Sequence, residues 1–199
     1  MSAASGATTS GNVSEPSSDP PKIDELYAQK IREALISGAC EVFANTGKEK
    51  AAAIMREMVS YAKREVCLFC NEMSAEIYNI EGVVEAFCDA LERGVKFRVL
   101  IQQEHICSDS KKIINLFGQY KKLVEQRSSS QVEKLQSISV NFCVVDDTCA
   151  RWEDDRSSRK GKFYTHSYFD VQAIKQMFEQ VWEDSGSHKE NRQVTNEWI

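Results

Sequence analysis

The chain has 199 residues, 42% of them hydrophobic, and a formal net charge of −5 at pH 7. This length predicts one domain with additional segments, because most domains contain about 100–200 residues. The acidic balance excludes a chain that is basic throughout, so any contact with nucleic acid would depend on a local basic patch. No run reaches the roughly 18 apolar residues that mark a membrane-spanning helix, which predicts a protein without a membrane partner.

Residues 1–21 are predicted to form a disordered tail. They are rich in Ser, Ala, Gly and Thr and contain all three prolines of the chain, Pro16, Pro20 and Pro21. They have neither the basic start nor the apolar region of a secretory signal. The seven cysteines are odd in number, and most lie in apolar runs. Reduced, buried cysteines in a cytoplasmic protein are therefore the simplest expectation.

Two helices are predicted for a helical N-terminal segment, residues 22–63. Apolar residues recur every three or four positions from Ile23 to about Asn45 and again from Lys48 to Lys63. This segment is expected either to cover one face of a sheet or to act as a dimerisation or partner-docking arm.

Residues 64–185 alternate between short apolar runs and helical patterns. "REVCLFCN" and "VKFRVLIQQ" are predicted strands, a helix over Ala75 to Arg93 separates them, and another helix follows Ser110. The remaining strands lead to a last helix, and residues 186–199 form a polar C-terminal tail. The order α-α-β-α-β-α-β-β-β-α predicts an α/β fold, with a mixed sheet and helices on both faces.

The stretch "VNFCVVDDTCARWEDD", from Val140 to Asp155, is predicted to be a hairpin. An apolar strand ends at the adjacent carboxylates Asp146 and Asp147, and a second strand follows. Such a hairpin is either an ordinary turn on two aspartates or the remnant of a catalytic strand.

The pattern from Arg64 onward resembles one half of a phospholipase D superfamily protein, whose hairpin carries H-x-K-x-x-x-x-D. The apolar frame and the closing Asp146 match, whereas Ser139 stands at the His position and Asn141 at the Lys position. The segments "CARWEDD" and "FDVQAIKQMFEQVWED" are also similar to that family. The resemblance covers roughly residues 60–185 and implies a phospholipase D-like domain with a degenerate HKD motif.

The two substitutions bear on activity. In the family, the histidine reacts at phosphorus and the lysine holds the charge of the phosphate. A serine would need its own activating base, and an asparagine carries no charge. The resemblance therefore implies a non-catalytic module, a pseudoenzyme, that senses a ligand or binds a protein partner.

The resemblance also implies a homodimer, because the family builds its site from two such halves. Ser139, Asn141 and Asp146 would then line a polar cleft that could hold a phosphate-containing ligand, with no cofactor and no metal.

Two further interpretations remain open. His166 in "YTHSYFD" could replace the missing histidine if its strand neighbours the hairpin, and a divergent phosphodiesterase or nuclease would then use His166 or Ser139. The basic loop "RSSRKGK" contributes Arg159 and Lys160, which could bind phosphate or nucleic acid in an accessory protein. A solvated, charged loop is the alternative.

Other cysteines and histidines give weaker signals. Cys67 and Cys70 form C-x-x-C, but residues three apart on a strand point to opposite faces, and no second pair has zinc spacing, which favours core packing. His105 lies near Cys107 in a pairing that catalysis can use. His188 lies in the polar tail.

Overall fold

The computed structural model describes residues 22–103 and 110–186 of the protein. The predicted disordered tail, His105, Cys107 and His188 lie outside the described residues, as does the C-terminal tail beyond Gly186. In the described part of the chain, no helix is long and apolar enough to cross a membrane.

One mixed sheet forms the centre of the molecule. Its order is β1-β7-β6-β5-β2-β3-β4, in which β2, β3 and β4 are parallel and the other pairs are antiparallel. The strands within the described ranges are β1 (Glu41–Asn45), β2 (Glu65–Cys70), β3 (Lys96–Ile101), β4 (Val124–Ser128), β5 (Asn141–Val145), β6 (Cys149–Asp155) and β7 (Lys160–Thr165).

Helices cover both faces of this sheet. They are α1 (Glu25–Ser37), α2 (Lys48–Tyr61), α3 (Ala75–Tyr78), α4 (Glu81–Glu92), α5 (Lys111–Gln119), α6 (Glu133–Gln136) and α7 (Tyr168–Gly186). Helices α1 to α5 contribute to one apolar core, and α6 and α7 contribute to a second core on the opposite face. The predicted α/β fold with helices on both faces is confirmed.

The alternation of side chains along each strand assigns residues to these two cores. On β2, Val66, Leu68 and Cys70 belong to the first core, whereas Cys67 and Phe69 belong to the second. A strand buried on both faces reads as a continuous apolar run, which is why this strand could be predicted from the sequence. Burial raises the pKa of the Cys67 and Cys70 thiols to about 12, and their predicted role in core packing is confirmed.

The prediction of one helix from Ile23 to Asn45 is wrong in its second half. Helix α1 ends at Ser37, where Gly38 adopts a left-handed φ of 73°, and β1 then pairs with β7. Strand β4 was missed as well. Both lie at the edges of the sheet, and most of their residues are exposed or half-exposed, so tertiary pairing and not apolar periodicity makes them strands.

The predicted helix over Ala75 to Arg93 is instead two helices. Helix α3 ends at Tyr78, and α4 begins at Glu81 after the extended residue Ile80. The N-terminal segment is also not wholly helical, because it contributes β1 to the sheet.

Asp146 fixes the junction between β2 and β5. Its buried carboxylate accepts backbone N–H bonds from Lys63, Arg64 and Glu65, each at 2.9 Å. Its own N–H donates to the carbonyl of Glu65 at 3.0 Å, and its φ of 51° closes the turn into β6. One side chain therefore satisfies three N–H groups at the start of β2.

We expect Asp146→Asn to lower the free energy of unfolding by about 2–3 kcal/mol, because hydrogen bonds to a charged acceptor are lost. Asparagine also tolerates a left-handed φ, so the substitution removes the charged acceptor without adding backbone strain. Urea denaturation measures the effect. Asp147→Asn, at the exposed neighbour, is the matched control and should cost less than about 1 kcal/mol. Equal losses in the two variants would contradict the structural role of Asp146.

An ionic network holds α7 against the sheet. Arg98 on β3 donates to Glu179 at 2.6 Å and to Glu65 at 3.0 Å. Lys175 contacts Asp147 at 2.6 Å and Glu65 at 3.1 Å. Hydrogen bonds from Lys175 and then Arg64 lower the pKa of Asp147 from 3.8 to about 2.

This shift predicts a pH window for the contribution of Asp147. Because its pKa is lower in the folded state, its stabilisation is complete above pH 4 and is lost as the pH falls towards 2. We expect the difference in urea midpoint between wild type and Asp147→Asn to shrink over this range. In a Lys175→Gln background the folded-state pKa of Asp147 should lie closer to its ordinary value, so the difference at neutral pH should be smaller and its loss should be complete at a higher pH. A difference that stays constant from pH 6 to 2 would contradict the prediction.

Candidate functional site

Polar side chains gather where β5 begins and β6 ends. Because β5 runs antiparallel to β2, its first residue lies beside the carboxyl ends of β2 and β3. This is the edge at which open α/β sheets bind their ligands. We call the group the strand-end cluster and define it as Asn141, Arg151, Glu153, Arg156 and Arg159.

Glu153 is the buried centre of the strand-end cluster, with 1% of its surface exposed. It accepts a 2.5 Å hydrogen bond from Arg151 Nη2 and a 2.7 Å bond from Asn141 Nδ2. The Oδ1 atom of Asn141 in turn accepts the backbone N–H of Asn71 at 2.9 Å. Asn141 therefore bridges the end of β2 and the end of β6.

Two arginines from the β6–β7 turn complete the cluster. Arg156 Nη2 donates to the carbonyls of Ile138 and Val140 at 2.9 and 2.8 Å and also contacts Gln102. Burial lowers the pKa of Arg156 from its ordinary value. Arg159 Nη2 donates to Ser74 at 2.9 Å, and its Nη1 lies 3.8 Å from Glu153.

Gly161 allows β7 to approach β6 closely at this point. A Cβ atom there would lie 2.2 Å from the carbonyl oxygen of Trp152, so only glycine fits.

Three buried polar atoms in this region have no hydrogen-bond partner among the described residues. Two belong to the cluster, Arg151 Nε and Arg156 Nε, and the third is Oδ1 of Asn45, whose amide nitrogen donates to the carbonyl of Arg159. Buried polar atoms are ordinarily paired, so these orphans mark a region with unused hydrogen-bonding capacity.

The structure brings four predicted site residues to this edge. Asn141 and Arg159 belong to the strand-end cluster. Ser139 is exposed in the loop whose carbonyls bind Arg156, and Lys160 is exposed at the first position of β7. The predicted grouping of Ser139 with Asn141 and the basic loop is therefore geometrically consistent.

Asp146 and His166 lie at the opposite end of the sheet. Val145 at the end of β5 is in register with Cys149, and Cys149 with Thr165, so His166 follows β7 at that end. The ring nitrogen Nε2 of His166 is 3.0 Å from the carbonyl oxygen of Leu35. Strand β7 neighbours the hairpin as predicted, but the expectation that His166 could reach the cleft is wrong, because the direction of β7 carries it away from Asn141. The expectation that Asp146 lines one cleft with Ser139 and Asn141 is also wrong, because Asp146 follows the opposite end of β5.

Arg156 belongs to the basic loop that the sequence suggested as a binding element, whereas sequence reasoning missed Arg151, Glu153 and Gln102 as members of this region. The acidic run after Trp152 was interpreted as solvated. The alternation of side chains along a strand was the signal that the sequence offered, because it places Arg151 and Glu153 on the same face. The structure adds that Glu153 is in register with Asn141. Gln102 carried no sequence signal. Among residues 22–103 and 110–186, no group of three His, Cys, Asp or Glu side chains is arranged to hold a metal ion.

We expect Glu153→Gln to destabilise the protein by about 3 kcal/mol, because Arg151 would be left buried without its counter-charge. Glu76→Gln is the matched control: its carboxylate is largely exposed, 3.3 Å from Lys48, and its loss should cost less than about 1 kcal/mol. Chemical denaturation of both variants makes the comparison. A Glu153→Gln protein as stable as the control would show that the buried pair adds nothing to folding.

Solved structures similar to this chain share its fold at low sequence identity. TrmBL2, an archaeal chromatin protein whose structure shows a novel mode of DNA binding, is 18% identical with a TM-score of 0.54. Nuc, a phospholipase D family member from Salmonella typhimurium, is 11% identical with a TM-score of 0.52. Polyphosphate kinase from Porphyromonas gingivalis is 11% identical with a TM-score of 0.54.

The extent of these matches differs. The similarity covers 81% of this chain and 64% of TrmBL2, 72% of this chain and 96% of Nuc, and 77% of this chain and 27% of the polyphosphate kinase. The chain thus spans less than two thirds of TrmBL2. The likeness to Nuc shows that the fold is phospholipase D-like.

Comparison by sequence gives a family without a known activity. No curated protein matches the chain. A family model described as a domain of unknown function, DUF7931, matches residues 47–194, more than half of the chain. The match includes every residue of the strand-end cluster. The chain is therefore a member of the DUF7931 family.

Proposed function

We propose that this protein is a non-catalytic phospholipase D-like domain that binds a phosphate-containing ligand at the strand-end cluster and works as a ligand-sensing or protein-interaction module. We further propose that it is a cytoplasmic homodimer. The division into a helical segment, residues 22–63, and a phospholipase D-like domain, residues 64–185, remains a prediction.

The bonding of Asn141 carries the non-catalytic part of the proposal. The resemblance assigns this position to a lysine that holds the charge of a phosphate. Here both ends of the amide are engaged, one by the Asn71 N–H and the other by Glu153. A neutral side chain used as a brace between strands does not stabilise the charge of a transition state as a lysine does.

The arrangement of charge supports an anionic ligand. The guanidinium groups of Arg151 and Arg159 lie 2.5 and 3.8 Å from the buried carboxylate of Glu153, Arg159 also lies 3.9 Å from the exposed Glu76, and Arg156 adds a third guanidinium group on the carbonyls of Ile138 and Val140. Two of these groups keep a buried Nε atom without a partner among the described residues. Planar guanidinium groups suit phosphate oxygens, and Ser139 adds an exposed hydroxyl at the rim. The excess of cations at this edge favours a phosphate over a cationic or neutral ligand.

Inorganic phosphate is the first probe of this site. We expect phosphate to raise the unfolding midpoint relative to chloride at equal ionic strength, because a ligand that binds only the folded state stabilises it. Arg159→Gln should weaken the apparent phosphate affinity at least tenfold. Lys162→Gln removes an exposed cation on β7 and is the matched control, which should behave as wild type.

Hydrolysis of a chromogenic phosphodiester, with and without a chelator, tests the absence of catalysis. Wild type, Ser139→Ala and His166→Ala should all match the buffer rate. Turnover that is lost in Ser139→Ala or His166→Ala would instead establish the divergent phosphodiesterase. A midpoint that does not respond to phosphate would contradict the ligand class.

Nucleic-acid binding is the second candidate function. The likeness to TrmBL2 favours it, since that protein's structure shows a mode of DNA binding. The basic loop favours it less than it favours a small ligand. Arg156 and Arg159 are half-buried and hydrogen-bond to Gln102 and Ser74, so a long polyanion on the surface would meet chiefly the exposed Lys160 and Lys162, whereas a single phosphate could enter the cluster. Affinity for single-stranded DNA that falls steeply with salt, and that falls further in a Lys160→Ala plus Lys162→Ala variant, would bring this function forward.

A further inference from the structure

Glu76 lies beside the strand-end cluster and contacts two cations from distant parts of the chain. Its Oε1 atom is 3.3 Å from Nζ of Lys48, the first residue of α2, and its Oε2 atom is 3.9 Å from Nη2 of Arg159. We call Lys48, Glu76 and Arg159 the Glu76 bridge. The bridge joins the starts of α2 and α3 to the β6–β7 turn, and Arg159 connects it to the strand-end cluster.

The backbone of Arg159 is held in a conformation that a long side chain rarely adopts. Its φ of 55° lies in the left-handed region. The connection between β1 and α2 holds this turn, because Asn45 Nδ2 donates to the carbonyl of Arg159 at 2.7 Å and the Gly47 N–H donates to the carbonyl of Ser158 at 2.9 Å. Backbone strain that neighbouring residues maintain is found mostly at functional sites. Here it fixes the place from which the guanidinium group of Arg159 extends.

Ser74 holds Arg159 instead of capping its own helix. A serine at the N-cap position ordinarily accepts an N–H from the first helical turn. Ser74 is the N-cap residue of α3 but forms no such bond, and its buried Oγ accepts Nη2 of Arg159 at 2.9 Å. Among the described residues its hydroxyl proton has no acceptor, so Ser74 can still donate a hydrogen bond to a ligand oxygen.

Most hydrogen-bond donors of Arg159 are also unused. Glu153 is already bonded to Arg151 at 2.5 Å, and its distance of 3.8 Å from Nη1 of Arg159 is longer than a hydrogen bond. Glu76, at 3.9 Å, is no closer. Within residues 22–103 and 110–186, Ser74 is thus the one group that the guanidinium of Arg159 bonds directly. The remaining donors can bind an anion.

The carboxylate of Glu76 can leave its position at little cost. The side chain of Glu76 is 57% exposed and that of Lys48 is 39% exposed, whereas that of Arg159 is 17% exposed. Exposed ion pairs contribute little to stability, because water solvates and screens both charges. Arg159 does not depend on Glu76 for its position, since Ser74 and the contacts of the turn hold it. An incoming anion would therefore find both cations in place.

The charges of the bridge favour an anion that carries two negative charges. When Glu76 moves away, the ammonium group of Lys48 and the guanidinium group of Arg159 are left without it. A phosphate monoester carries about 1.5 to 2 negative charges at pH 7 and has three terminal oxygens that accept strong hydrogen bonds. A phosphodiester carries a single charge, which neutralises these two cations no better than the carboxylate does.

We propose that the Glu76 bridge is the ligand-free form of a phosphate subsite, in which the terminal phosphate of a monoester displaces the carboxylate of Glu76 and binds Lys48, Arg159 and the hydroxyl of Ser74. The subsite rests on the proposed phosphate binding at the strand-end cluster. It narrows the ligand class to monoesters and adds Lys48 and Ser74 to the binding residues. Glu76 acts as a competitor that singly charged ligands displace less readily than doubly charged ones.

Isothermal titration calorimetry of the full chain with methyl phosphate tests the subsite. We expect Glu76→Gln to bind about two- to fivefold more tightly than wild type, because the competing carboxylate is gone, and Lys48→Gln to bind about fivefold more weakly. The matched controls are Glu81→Gln, which removes an exposed carboxylate in the first turn of α4, and Lys50→Gln, whose ammonium lies 5.2 Å over the ring of Tyr27. Both controls should bind as wild type does. Far-UV circular dichroism checks that each variant folds.

Dimethyl phosphate, which carries one negative charge, is the second probe. It should bind wild type at least tenfold more weakly than methyl phosphate, and the difference should shrink in Lys48→Gln, where one of the two cations is missing. Equal affinities of wild type for the two compounds would overturn the preference for a monoester.

The same titrations separate the subsite from the proposed function. If Arg159→Gln loses phosphate binding while Glu76→Gln and Lys48→Gln match their controls, the Glu76 bridge is not part of the site, and phosphate binding at the strand-end cluster stands without it. If neither wild type nor Glu76→Gln binds methyl phosphate or inorganic phosphate, the proposed ligand class is wrong and the subsite is overturned with it.

Discussion

The carboxylate of Asp146 ties the start of β2 to the end of β5, and the position of the strand-end cluster depends on this bond. Side chains alternate along a strand with a period of two, so a slip of one residue between these strands would move the Asn141 side chain away from the Asn71 N–H that it accepts. Three backbone N–H bonds to one buried acceptor make such a slip costly. Asp146 therefore acts at a distance from the candidate site, by fixing the register that builds it.

The strand-end cluster holds a buried carboxylate that is neutralised within the sheet. Glu153 would be an obstacle to an anion if it stood alone, but Arg151 and Asn141 satisfy it within the sheet. The remaining positive charge of Arg156 and Arg159 is then left at the edge. A buried ion pair contributes little net stability, but it places two charges in fixed positions.

The two ends of the sheet differ in their charged groups. One end carries the strand-end cluster with its three guanidinium groups. The other end carries Asp147, which contacts Arg64 and Lys175, and Glu65, which contacts Lys175. The ionic network around Arg98 and Lys175 holds α7 against the sheet.

The sequence by itself determined the α/β class, the buried strands and the hairpin with its closing Asp146. Continuous apolar runs and helical spacing are local signals that burial enforces, so they can be read without the fold. The edge strands β1 and β4 carried no such signal, because pairing with a neighbour and not their own periodicity makes them strands. Tertiary structure alone decided which polar residues meet: the direction of β7 took His166 away from Asn141, and cross-strand register brought Glu153, which Arg151 also contacts, to it.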